Sequence, residues 1–312
     1  MERVAADVRR LTLFQVKVRA SSRRLLRFRP WLGFGCLVAV WVLLTTAALA
    51  QRRWWRGGDY EDARTPRELA QHSTETPNWT NAAGFEKDQF TFVRIRRERS
   101  PYSRGGPWTT DTPDSDLNIS YRLQQMTSMK VDPNGLFLNL TDKELLDFPF
   151  IYMVEPGSLY LSFTEAKALR TYLLNGGFLW LDDFWGEAEW EGMADQLKKV
   201  FPDRDFVELP LNHPLYHCVF DIKSKGQVPN VELGTRSQFD PDHRTSERFD
   251  ADEVHHRAIF DDKGRLMVLA THNTDNGDGW EWEGDNHYYF AEFAEKIAYP
   301  LAINVLFYVM TH

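Results

Sequence analysis

Residues 162–186 read SFTEAKALRTYLLNGGFLWLDDFWG, a helix pattern running directly into a strand pattern. Ser162 or Thr164 caps the helix, Ala166, Leu169, Tyr172 and Leu173 recur at helical spacing, and Gly176 and Gly177 stop it. FLWL (178–181) then runs apolar without alternation, as a strand covered on both faces does. Upstream, FIYMVEPG (150–157) is a second such strand. Downstream, GEAEWEGMADQLKKVF (186–201) is a helix whose Lys198 and Lys199 suit the negative end of its dipole. Apolar strands alternating with helices predict parallel pairing through right-handed crossovers.

The same texture extends outward. FTFVRI (90–95) predicts a first strand, followed by a polar loop through Tyr102, Trp108 and Asp111. Asp114, Ser115 and Asp116 then stand as N-caps of a helix over DLNISYRLQQMTS. LFLNL (136–140) predicts another strand, and TDKELLDF a short helix opened by Thr141 with Glu144 three residues on. AIFDDKGRLMVLATH (258–272) predicts a hairpin, and residues 290–312 a closing amphipathic helix. Residues 203–256 read as irregular, with one strand-like piece at His217–Phe220.

The chain has 312 residues, of which 43% are hydrophobic and 14% aromatic, enough for one sizeable core. Its net charge of −8 is unevenly placed. Residues 1–50 hold nine Lys or Arg against two acids, a balance of +7 that leaves −15 beyond them. So acidic a body is repelled by phosphate backbones, which excludes nucleic-acid binding. Two cysteines, Cys36 and Cys218, furnish neither a disulfide framework nor a thiolate zinc site.

WLGFGCLVAVWVLLTTAALA (31–50) is uncharged over a bilayer-spanning length and follows a basic segment, residues 1–30, that stays cytoplasmic. Ala48-Leu49-Ala50 also has the small-x-small form of a signal-peptidase site, so the run reads either as a retained transmembrane anchor or as a cleaved signal. Both readings place the rest outside the cytoplasm, held at the membrane or released from it. Residues 51–88 mix charges with Gly and Pro and read as a tether, leaving 89–312 as the globular α/β domain.

Ligands of open parallel sheets sit beyond the carboxyl ends of the strands. The side chains expected there are Trp108, Asp111, Glu155, Asp182, Asp183, Trp185, His272 and Asn273. Adjacent strand residues face opposite ways, so at most one of Asp182 and Asp183 faces a given pocket, and the other is expected to cap the following helix. The linear spacing matches no metal signature, and no metal or cofactor is expected. No P-loop, G-x-S-x-G or G-x-G-x-x-G occurs. Trp180, Trp185, Trp190, Trp280 and Trp282 with Tyr288 and Tyr289 form a candidate aromatic rim for stacking on sugars or peptides, with GDGWEWEGDNHYY too polar for a core.

FTFVRI, PFIYMVEPG, LLNGGFLWLDDFWG, ELPLNHPLYHCVF and AIFDDKGRLMVLATHNTDNGDGWE, in this order, resemble the bacterial domain of unknown function 4159, over roughly residues 90–312. That resemblance implies a fold similar to the class I glutamine amidotransferase-like group, a flavodoxin-like, mostly parallel sheet flanked by helices. Those relatives use a cysteine on a strand-to-helix elbow, whereas the elbows here read EPGS and DDFWG, so glutamine hydrolysis is not expected. The leading expectation is a non-enzymatic binding module for an envelope carbohydrate or peptide, held at the inner membrane. The alternatives are a hydrolase, with or without a metal, that uses Asp183 or Glu155 as base and His272 as acid or ligand, and a scaffold within a membrane protein complex.

Overall fold

The computed structural model describes residues 58–73, 75–84, 88–98 and 106–312. The basic segment, the apolar run 31–50, residues 51–57 and Tyr102 lie outside the described residues.

Seven strands form one sheet in the order β2-β1-β3-β4-β7-β6-β5. They are β1 (Val93–Arg96), β2 (Leu136–Asn139), β3 (Phe150–Val154), β4 (Phe178–Asp182), β5 (Val207–Glu208), β6 (His255–Phe260) and β7 (Leu266–His272). The first five in spatial order pair in parallel, and β6 and β5 extend the sheet antiparallel. The expected hairpin is thus present as β6–β7.

Period-two alternation sorts the strand residues into two unlike faces. Phe92, Phe150, Tyr152, Phe178 and Trp180 pack on one face with Ile119, Leu123 and Trp280. Val93, Ile95, Ile151, Met153, Leu179 and Leu181 pack on the other with Leu169, Leu173 and Leu197. The aromatic face is covered by α1 (Asp114–Met126), by α5 (Asn276–Glu281) and by the long closing helix α6 (His287–Thr311). The aliphatic face is covered by α2 (Phe163–Leu174) and α3 (Gly186–Val200). A reciprocal Ser162–Glu165 capping box starts α2. Helix α6 is apolar and long enough to cross a membrane, but 56% of its apolar window is buried within the domain, the behaviour of a core helix.

Several expectations differ from the structure. Helix α1 begins at Asp114 after Pro113 with no side-chain cap, so Asp114, Ser115 and Asp116 lie inside its first turn and do not cap it; TDKELLDF forms a 3-10 turn over Lys143–Asp147 that follows Asp142 in place of Thr141; and the two-residue strand β5 lies inside the segment read as irregular. His217–Phe220 is not a strand: Pro214 opens a 3-10 turn, and the N–H groups of Val219 and Phe220 both donate to Asn304 Oδ1 instead of to a neighbouring strand. Helix α4 (Val231–Ser237), inside the segment read as irregular, is only one to two turns long and is capped by Asn230. Residues 58 onward form one compact unit with the sheet. Within the stretch read as tether, Arg67 donates to the carbonyls of Thr76 and Pro133, and Thr76 hydrogen-bonds Asn118 of α1.

Candidate functional site

The register of the central strands determines what emerges together. Val154 of β3 pairs with Asp182 of β4, so Glu155 and Asp183 leave the sheet side by side. Four non-glycine residues at these exits adopt left-handed backbone: Asp111 (φ 64°), Glu155 (53°), Asp183 (57°) and Asn273 (63°). That conformation costs roughly 1 kcal/mol or more per residue outside glycine, and such outliers cluster at functional sites.

One carboxylate oxygen from each of Asp111, Asp183 and Asp275 lies within 4.8 Å of the other two. A second group, Asp111, Asp278 and Glu281, meets the same criterion and shares Asp111. All five residues lining this crevice between the strand exits are buried, 4% to 8% exposed as whole residues. The outer atoms are held by neutral donors: Trp185 Nε1–H to Asp183 at 3.0 Å, the Asp278 N–H to Asp275 at 2.8 Å, and the Val231 N–H to Asp278 at 2.7 Å. Asp111 Oδ2 is buried with no partner.

Charge is not balanced here. Arg94, wholly buried, is ion-paired to Asp116 at 2.9 Å and also donates to the carbonyls of Trp108 and Thr110, which fixes the loop carrying Asp111. Among the described residues, no lysine or arginine forms an ion pair with Asp111, Asp183, Asp275 or Asp278. Burial first, and then mutual repulsion, pushes all four carboxyls well above the usual carboxylate range. Glu155, which accepts from the Gly106 N–H, is also raised, by burial first and then by Glu189 despite Arg97.

The other expected site residues are placed differently. Asp182 has the parity of Phe178 and Trp180 and points under α5, accepting from Tyr152 Oη, Thr271 Oγ1, Asn276 and the Gly277 N–H. It therefore anchors a helix some ninety residues on, not the following one. His272 projects to the opposite face, stacked on Phe184 with Nε2 at 3.0 Å from the Gly186 carbonyl oxygen, and burial drives its pKa down to about 4. Asn273 Oδ1 accepts from the Gly186 N–H and its amide donates to the Glu253 carbonyl, a brace between loops. Trp185 positions Asp183. Trp108 packs on Phe137 of the edge strand, because its ring finds apolar partners there.

The aromatic rim is largely core. Trp180 and Trp280 are fully buried with ring centroids 5.4 Å apart, and Tyr152 packs on both. Asp275, Asp278 and Glu281 are absent from the expected site residues because the segment carrying them reads as surface loop. The one available signal was its density of acids directly after the hydrophobic strand β7.

The sequence from 91 to 310 matches the family described as Domain of unknown function (DUF4159). The chain belongs to that family. No curated protein matches the sequence. In this DUF4159 domain the described cysteine, Cys218, sits in a turn near the Asn304 carbonyl oxygen, away from the strand exits, with its thiol raised by burial. What the DUF4159 crevice offers chemically is an all-oxygen donor set, which suits hard divalent cations such as Mg²⁺, Mn²⁺ or Ca²⁺.

Proposed function

We propose that this chain is an envelope-facing binding module that holds a divalent cation at Asp111, Asp183 and Asp275 and uses it to engage an envelope ligand. The observation that carries this reading is the meeting of three buried carboxylates, from three different strand exits, without a basic partner. Buried charge of one sign is costly unless a counterion joins it. A cation supplies that counterion, and neutral donors behind the carboxylates orient them as outer partners do in metal sites.

The spatial order 2-1-3-4-7 of the parallel strands is that of a flavodoxin-like sheet with β7 in fifth place, which supports the finer fold assignment. It also supports a ligand site beyond these carboxyl ends, where the order reverses between β1 and β3. The apolar run 31–50 supports placement at the inner membrane, with the domain in the periplasm.

One observation favours a hydrolytic version of the same site. Glu155 lies beside Asp183 but outside both carboxylate groups, with its carboxyl raised, the arrangement of a base next to a cation-bound water.

The test is equilibrium dialysis of the full chain against Mn²⁺ or Ca²⁺ with elemental analysis. Bound cation is expected in the wild type and should fall in Asp183→Asn and Asp275→Asn. A wild type that retains no divalent ion refutes the proposal.

A further inference from the structure

Resting on the cation reading above, we infer that the crevice takes two divalent ions, the second held by Asp278 and Glu281, with Asp111 as the bridging carboxylate. Asp111 contributes an oxygen to both carboxylate groups, and these groups share no other residue. A carboxylate has two oxygens and four lone-pair directions, so one side chain serves two ions without rearrangement.

An independent observation points to a ligand in this half of the crevice. Asp111 is 6% exposed, and its Oδ2 is buried with no hydrogen-bond partner. A carboxylate oxygen left so is expensive. Its direction is defined by Gly277: a Cβ built there would stand 2.1 Å from that oxygen and 3.2 Å from Tyr152 Oη. The oxygen therefore lies against the backbone at Gly277, between Asp275 of the first group and Asp278 of the second. Glycine at 277 lets the α5 backbone approach this closely. In the same turn Asn276 Oδ1, on a fully buried side chain, also lacks a partner.

The second group brings together three acids, of which only Glu281 has a basic partner among the described residues. One oxygen from each of Asp111, Asp278 and Glu281 lies within 4.8 Å of the other two, a spacing at which a single cation can be shared by all three. One side of Glu281 is already engaged, by His72 Nε2 at 3.0 Å, while His72 Nδ1 reaches Asp114 at 2.7 Å. His72 thus fixes the Glu281 carboxylate in place beside Asp111 and Asp278. Two ions on one bridging carboxylate would stand roughly 4 Å apart, the spacing of two-metal sites.

Mn²⁺ titration of the full chain, followed by electron paramagnetic resonance, tests this. The wild type is expected to bind two Mn²⁺ whose spectrum is broadened by spin coupling. The double variant Asp278→Asn/Glu281→Gln should bind one and show the sharp six-line signal of an isolated ion. Asp111→Asn should abolish the coupling. The wild-type spectrum decides without any variant, should the double substitution fail to fold. One bound ion, or two uncoupled ions, overturns the inference and leaves the single-cation reading standing. No bound ion overturns both.

Discussion

Asp182 and Asp183 share a peptide bond and almost nothing else. Asp182 is surrounded by donors: two hydroxyls, two backbone N–H groups and an amide all point at it. Asp183 accepts one indole N–H and otherwise faces the carboxylates of Glu155 and Asp111. Removing them should therefore act in opposite directions. Asp182→Ala orphans several buried donors and should lower stability by about 3 kcal/mol. Asp183→Asn keeps an acceptor for Trp185 and deletes one repelling charge, so the metal-free protein should gain on the order of 1 kcal/mol. Urea unfolding in the presence of a chelator measures both. Equal losses at the two positions would mean that Asp183 is a structural anchor like its neighbour. Parity along β4 distinguished the pair in the sequence, since Asp182 continues the Phe178 and Trp180 face. Which helix it would anchor was not legible, because that contact spans 94 residues.

At the scale of elements, α2, β4 and α3 were readable because cap, period and stop all agree within a few residues. Helix α5 was not. Six residues form no stable helix alone, and two glycines with two acids read as loop. It is held by tertiary contacts: Asp182 takes its first N–H groups, Asp275 caps it, and Trp280 enters the aromatic face. Local rules fail here because Asp278 and Glu281 are buried beside Asp111, where no packing rule would place an acid. The strap at residues 70–73 adds a testable contact. His72 hydrogen-bonds Asp114 and then Glu281, and these bonds raise its pKa to about 10. A base raised from 6.5 to about 10 on folding stabilises fully below pH 6.5, and that contribution disappears as pH rises through about 10. The melting-temperature gap between wild type and His72→Gln should be widest near pH 6 and close towards pH 10. A gap constant with pH would show that His72 contributes packing and not charge.

For the whole molecule, the same linkage sets opposing trends. In the metal-free chain Asp111, Asp183, Asp275 and Asp278 are raised by burial and by one another, so the folded state holds more protons than the unfolded one. Stability from these groups is present at low pH and falls as pH climbs above about 4. Buried His272 and His256, lowered to about 4 and about 3 by desolvation, do the reverse, losing stability as pH drops below 6.5. The metal-free optimum should therefore lie at about pH 5 to 6, with a decline on the alkaline side. Divalent cations bind the deprotonated carboxylates only, so the rise in melting temperature with Mn²⁺ should grow from pH 5 to pH 8. KCl at matched ionic strength should not reproduce it, because general screening acts weakly on buried charges. Thermal melts with chelator, KCl or MnCl₂ across that range measure all three curves. If the chelated protein keeps gaining stability up to pH 8, the crevice is already neutralised by its own protein partners, and neither cation is needed to explain why five acids share it.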